Sequence, residues 1–349
     1  MIRSELSPAE WLQNVRKDLG YNKRFSMPWK QIKEYINRLP KEEQKRATDV
    51  WRKRYSQTYG NIHDNQMNSY CKVLMSVLEE DQRKFMNSVF FGVYPTGEFT
   101  GYSDKMEKGH RVIILHEGLC YTIHFLSSLY FRIYEDGLES FIEGRNPELL
   151  KAVLWIKSIW DGQEPAVSLP DIFPKNKDSW ELSSSLTAAA LIFVLSHELG
   201  HAFLNHPEYG PRMQDNHKIE YEADRFALRT ILRYSIMISF AKDDTYHTQA
   251  SLFAPYFLCS VFSMFGVDAS KSHPSPRARM LRISRIIEEE LIDLIGEPRF
   301  RLFKKDMGSD IFDLLKTNGM GLMEVMSAFA PEKRSRRDNS KLIALLQNL

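Results

Sequence analysis

One pentapeptide, His197-Glu198-Leu199-Gly200-His201, inside the apolar run Ser184 to His206, constrains this chain more than any other feature. Ala188 to Leu195 is a nearly unbroken apolar lead-in, which suits a buried helix, and Ser183 to Ser185 offer hydroxyls for its N-cap. At about 100° per residue the two histidines fall on one helix face, one turn apart. Two neutral imidazoles so placed can grip one Zn²⁺ at about 2.0–2.1 Å. Glu198 lies beside them, placed to take a proton from activated water rather than to act as a ligand. The plainer alternative is a core helix whose histidines are merely hydrogen-bonded. The residues beyond the motif separate the two.

Zinc hydrolases use three protein ligands and keep one position open. A third His six residues after His201 would complete one known pattern, but that position is Pro207, and Leu204 stands where the pattern needs Gly. His206 is one residue off, about 140° round a continuing helix from His201. The other source is a carboxylate on a later helix. Glu220 comes nineteen residues after His201, at the head of a helical stretch that runs to about Phe240. Glu220, Asp224 and Ala227 share one face of it by their i, i+4, i+7 spacing, while Glu222 points elsewhere. Glu220 can therefore close the site, and Asp224, one turn on, can orient a ligand histidine.

The order H-E-x-x-H, then E-x-x-x-D, resembles the gluzincin-type peptidases of the HtpX and CAAX prenyl-protease group. A third segment, Ser272-His-Pro-Ser-Pro-Arg-Ala-Arg-Met280, is similar to that group's downstream S/T-H-P element. The resemblance implies that His273 faces the reaction centre and that Arg279 supports the site, with Arg282 a second candidate. The His206-Pro207 pair and E-x-E-A-D look most like the Lit-like phage-exclusion peptidases of bacteria. The likeness spans about residues 110–285. It implies a zinc endopeptidase acting on a protein of the translation apparatus, elongation factor Tu in that family. It also implies a latent enzyme of antiviral defence, triggered by a phage or regulatory peptide.

The remainder of the chain sets the frame. Its 349 residues allow one large domain or two smaller ones. A net charge of +2 excludes a strong global electrostatic partner. Cys71, Cys120 and Cys259 form no C-x-x-C, which suggests a reducing, cytoplasmic setting, and the N-terminus lacks an apolar leader. Residues 8–87 read as several helices: Ser7-Pro8 is a helix start, and Pro28 and Pro40 open others. This stretch is basic, but its charges are dispersed rather than striped, so no nucleic acid is expected as a partner. Gly92 to Gly97 and Thr100 to Ser103 read as turns. Arg111 to His116 reads as a strand and a candidate edge for an extended substrate, and Leu119 to Tyr134 as a buried helix. Gln163 to Asp178, with four prolines, reads as a loop. Ala250 to Val267 is apolar enough to raise a membrane span, although Pro255 and the serines suit a buried helix as well.

The expectation is a predominantly helical α+β fold. Residues 1–90 form a helical N-terminal domain, 91–330 a zincin-like metallopeptidase domain with a small sheet, and 331–349 a polar linker with a last helix. Zinc is held by His197, His201 and Glu220, with Glu198, His273 and Arg279 doing the catalytic work and Asp224 behind them. The substrate is a protein. The rival readings are a membrane-associated quality-control protease and a non-catalytic regulator on the same fold.

Overall fold

The motif lies near the end of a 27-residue helix, Lys177–Phe203, against which much of the protein packs. The computed structural model describes residues 6–19, 33, 36–37, 41–55, 59–96, 98–106, 109–136, 173–206, 217–242, 245–264 and 273–327. Among the described residues the elements begin with α1 (Pro8–Asp18), α2 (Lys41–Tyr55), α3 (Tyr59–Val77) and α4 (Glu80–Met86). Strands β1 (Val89–Tyr94), β2 (Gly101–Lys105) and β3 (Arg111–His116) come next, then α5 (Glu117–Asp136). The motif helix is α6. After it come α7 (His217–Lys242), α8 (Thr245–Met264), α9 (Pro276–Ile295), α10 (Glu297–Met307) and α11 (Ile311–Ser327). The fold is a predominantly helical α+β arrangement, with one three-stranded sheet among the described residues.

The start of α6 differs from the sequence reading. Its cap is Asn176, whose side-chain oxygen accepts from the Ser179 N–H at 2.8 Å, while Glu135 of α5 accepts from the N–H groups of Lys175 and Asn176. The serines expected to cap the helix lie inside it, and the buried one, Ser183, meets a hydroxyl of α5. Ser183 Oγ is 3.1 Å from Ser128 Oγ, and Thr187 Oγ1 donates to the Ser183 carbonyl. Leu186, Ala189, Ala190, Leu191, Ile192, Phe193, Leu195 and Leu199 are then buried against α5, α7, α8 and the sheet. Each large apolar side chain so buried is worth about 1.5–3 kcal/mol. By length and composition alone α6 could cross a membrane, yet 72% of its apolar window is buried inside the protein. The apolar stretch after Ala250 is likewise a core helix: α8 carries Pro255 within it and buries Leu252, Phe253, Tyr256, Phe257 and Leu258 between α6 and α11.

The sheet corrects a second expectation. Its order is β1-β3-β2, with β1 parallel and β2 antiparallel to β3, so Arg111 to His116 is the central strand rather than an edge. The unbroken run Val112-Ile-Ile-Leu115 is the mark of this, since all four side chains are fully buried, as a strand covered on both faces requires. Gly92 and Gly101, read as turn residues, lie in β1 and β2. A Cβ on Gly92 would sit 2.6 Å from Leu12 Cδ2, and one on Gly101 would sit 2.9 Å from Leu115 Cδ2 and 3.5 Å from Val194 Cγ1. Here glycine permits close packing. Helix α1 begins as read, with a reciprocal Ser7–Glu10 capping box, and packs on β1 through Leu12 and through Arg16, which bonds Asp64 and the Val93 carbonyl. Pro28, Pro40 and the tail after Ser327 lie outside the described residues.

Helix α7 lies closely along α6. Ala223 is fully buried there, and the motif's own Gly200 faces it: a Cβ there would stand 3.1 Å from Phe226 Cβ and 3.3 Å from Ala223 Cα. A mid-helix glycine costs up to about 1 kcal/mol, which the close approach offsets. Gly200→Val should therefore force α7 outward, lowering stability by about 1–3 kcal/mol in chemical denaturation and weakening metal retention with it. Unchanged stability together with unchanged metal content would refute this role for Gly200.

Candidate metal centre

His197 and His201, one turn apart on α6, bring their Nε2 atoms within 3.1 Å of each other. Glu220, in the first turn of α7, points into the same space: its carboxylate oxygens lie 3.4 Å from His197 Nε2 and 3.6 Å from His201 Nε2. All three residues are buried, and one ligand atom from each lies within 4.8 Å of the others, so the cluster could hold a metal ion. The donor set fits one. Two imidazole lone pairs facing each other at this distance repel unless a cation, proton or metal, lies between them, and the third member is an anion.

Behind the ligands stands a second row. His197 Nδ1 lies 3.1 Å from Asp224 Oδ1. Asp224 in turn accepts from Arg279 Nε at 2.9 Å and Nη2 at 2.5 Å, a two-pronged pairing. Arg279 is delivered by the start of α9. Ser275 caps that helix by accepting from the Ala278 N–H, Pro276 opens it, and Arg279 sits one turn in, with its guanidinium 5.5 Å from the Phe262 ring centroid. Arg282, the alternative support, lies over the Tyr221 ring at 4.6 Å instead. His273, just before the cap, places Nδ1 at 3.2 Å from Glu220 Oε1. The S-H-P segment thus meets the site at two points, the ligand carboxylate and the residue that steadies His197.

The charges are mutually dependent. Burial alone would raise the pKa of Glu220, but contacts with His197 and His273 override it and hold the carboxylate ionised. Burial likewise works against Asp224, yet the Arg279 guanidinium beside it and the His197 contact bring it down to about 2. For His197 burial is outweighed by Asp224 and Glu220, which push it up to about 10, whereas burial and the charge on His197 push His201 down to about 3. Without a metal, one proton therefore occupies the position that a cation would take. Loss of solvent raises Glu198, reinforced by Glu220 and opposed chiefly by His197.

The site opens into a cavity of about 390 Å³. Its polar lining is His197, Glu198, Glu220, His273 and Arg279, and its apolar lining includes Leu119, Phe193, Val194, Leu258 and Phe262. Thr100, Gly101 and Tyr102 form one wall. That wall is the start of β2, which pairs on one side only among the described residues. The His116 N–H bonds to the Thr100 carbonyl, so by antiparallel alternation the backbone groups of Gly101 and Ser103 point away from β3. The strand edge at the cavity, outermost among the described residues, is thus one strand earlier than the sequence reading places it. One histidine also falls differently: His206, set aside on helical spacing, lies against His201.

Glu220→Ala should abolish tight metal binding while Glu198→Gln leaves it within a few-fold of wild type, measured as metal per chain after dialysis; equal retention by both would contradict the ligand assignment. Because His197 holds a proton up to about pH 10, a metal must displace it at neutral pH. Affinity should therefore rise with pH, about tenfold per unit below that value, and titration calorimetry in buffers of different ionisation enthalpy should find about one proton released. A pH-independent affinity would contradict the protonation scheme.

Residues 148–290 match the family model described as Peptidase U49. No curated protein and no solved structure matches the chain. The matched span holds His197, Glu198, His201, Glu220, Asp224, His273 and Arg279, and leaves the sheet and the N-terminal helices outside. Over the part that carries the site, the chain is similar to a family of peptidases.

Proposed function

We propose that this protein is a zinc-dependent endopeptidase. The observation that carries the reading is the convergence of His197, His201 and Glu220 beside Glu198, on a cavity with one wall formed by a strand edge that is unpaired among the described residues. His197, His201 and Glu220 would hold the zinc; two imidazoles and a carboxylate on a pair of helices are a donor set that zinc favours. When bound, zinc supplies Lewis acidity that makes water deprotonable near neutral pH and polarises a carbonyl.

The chain's own residues do the rest. An extended polypeptide lies along the outer edge of β2, its main chain paired with Gly101 and Ser103 and one side chain directed towards Phe193, Val194 and Phe262. Glu198 accepts the proton from the attacking water and returns it to the leaving amine, and its raised pKa suits a group that must do both near neutrality. His273, whose Nδ1 lies 3.2 Å from Glu220 Oε1, lines the cavity and would donate a hydrogen bond to the carbonyl oxygen as negative charge develops there. Arg279 keeps Asp224, and through it His197, in place.

The match to the peptidase family and the Lit-like order of motifs extend the proposal to biology: a latent protease of phage exclusion, cleaving a protein of the translation apparatus such as elongation factor Tu after a phage or regulatory peptide engages it. Incubating the protein with host lysate, with and without phage lysate, and mapping new N-termini by mass spectrometry tests both levels. New termini are expected with wild type and should fall about 10²- to 10⁴-fold with Glu198→Gln. Cleavage undiminished in Glu198→Gln would remove the mechanism, and no new termini under either condition would remove the proteolytic function.

A further inference from the structure

The end of α6 brings one more pair of side chains to the site. The helix stops at Phe203 with Leu204 as its C-cap. Asn205 then takes φ of 53°, in the left-handed region. Its N–H bonds to the Ala202 carbonyl at 3.3 Å, and the His206 N–H reaches back to the His201 carbonyl at 3.0 Å. These are the paired bonds of a Schellman turn. Asparagine tolerates that conformation better than most residues, and Asn205 Oδ1 also accepts from Arg111 Nη2 of β3 at 2.7 Å, which pins the turn to the sheet. The reversal folds His206 over His201, edge to face, with ring centroids 5.1 Å apart and Nδ1 to Nδ1 at 2.9 Å. His206 Nε2 lies 3.1 Å from Glu222 Oε2, and the other Glu222 oxygen lies 3.8 Å from Lys218 Nζ. The His206 side chain is 7% exposed.

We propose that His206 and Glu222 are positioning residues for the metal, serving His201 as Asp224 and Arg279 serve His197. The donor–acceptor inventory allows one arrangement for a neutral pair of rings. An ionised carboxylate only accepts, so His206 Nε2 carries the hydrogen and His206 Nδ1 is an acceptor. His201 must then donate from Nδ1, which leaves its Nε2 lone pair facing Glu220 and His197. The pair thus selects the tautomer that ligation needs and fixes the ring plane. Helical extrapolation cannot find this, since it continues α6 past residue 204.

The inference rests on the metal reading above, and one experiment separates their failures. Zinc dissociation constants are measured by competition with a chromophoric chelator for the full-length wild type, His206→Ala, Glu222→Ala and the double variant, with visible spectra of the cobalt-loaded forms. Each single substitution should weaken zinc by about 10- to 100-fold and shift the cobalt bands. The double variant should be no weaker than the worse single by more than about threefold, because both act through His201. His206→Gln, whose amide oxygen can accept from Nδ1, should recover part of the loss. Glu222 is 45% exposed, so Glu222→Ala decides the matter even if His206→Ala does not fold. A wild type that binds no zinc would overturn the metal reading and this inference together. A wild type that binds zinc beside variants within about twofold of it, or losses that multiply in the double variant, would overturn this inference alone.

Discussion

The close approach of α7 to α6 is the contact on which the site depends. Gly200 on one helix and Ala223 on the other leave so little between the backbones that Glu220, at the start of α7, reaches the space between His197 and His201. Neither helix holds a complete ligand set. The apolar surface that buries α6 against α5, α7 and α8 therefore also fixes the geometry of the polar centre, and packing changes well away from the ligands will be felt there.

Two nearly fully buried carboxylates, Glu220 and Asp224, would be costly if left alone. Asp224 is matched by Arg279, and Glu220 faces His197, His201 and His273. Removing one member of such a set commonly costs about 3–5 kcal/mol, because the charge left behind has no partner. The arrangement is organised around a positive charge at its centre, which a proton on His197 supplies in the metal-free protein. The order of elements reflects the same need: the S-H-P segment brings His273 to the ligand and Arg279 to its support from a single helix start.

How much of this was legible depended on the range over which each residue acts. The two histidines and Glu198 follow from helical spacing, and the face shared by Glu220 and Asp224 from the same rule one helix later. Both rules act within a few turns and survive any tertiary context. The strand Arg111 to His116 was legible too, but its place in the sheet was not, because strand order is set by pairing between distant segments; the uninterrupted apolar run was the available sign of a central strand. The glycines in β1 and β2 misled for a related reason. A glycine that admits Leu12 or Leu115 to close contact looks, in sequence, the same as one that makes a turn. His206 depends on where α6 stops, a single left-handed asparagine held by Arg111, and no periodicity reports that.

The most direct measurement of the central claim is zinc K-edge X-ray absorption on the isolated full-length protein. One zinc per chain is expected, with two imidazole nitrogens and at least one oxygen at about 2.0–2.2 Å. A sulfur shell near about 2.3 Å, or a single imidazole, would mean that the metal sits elsewhere and that α6 and α7 do not meet across it.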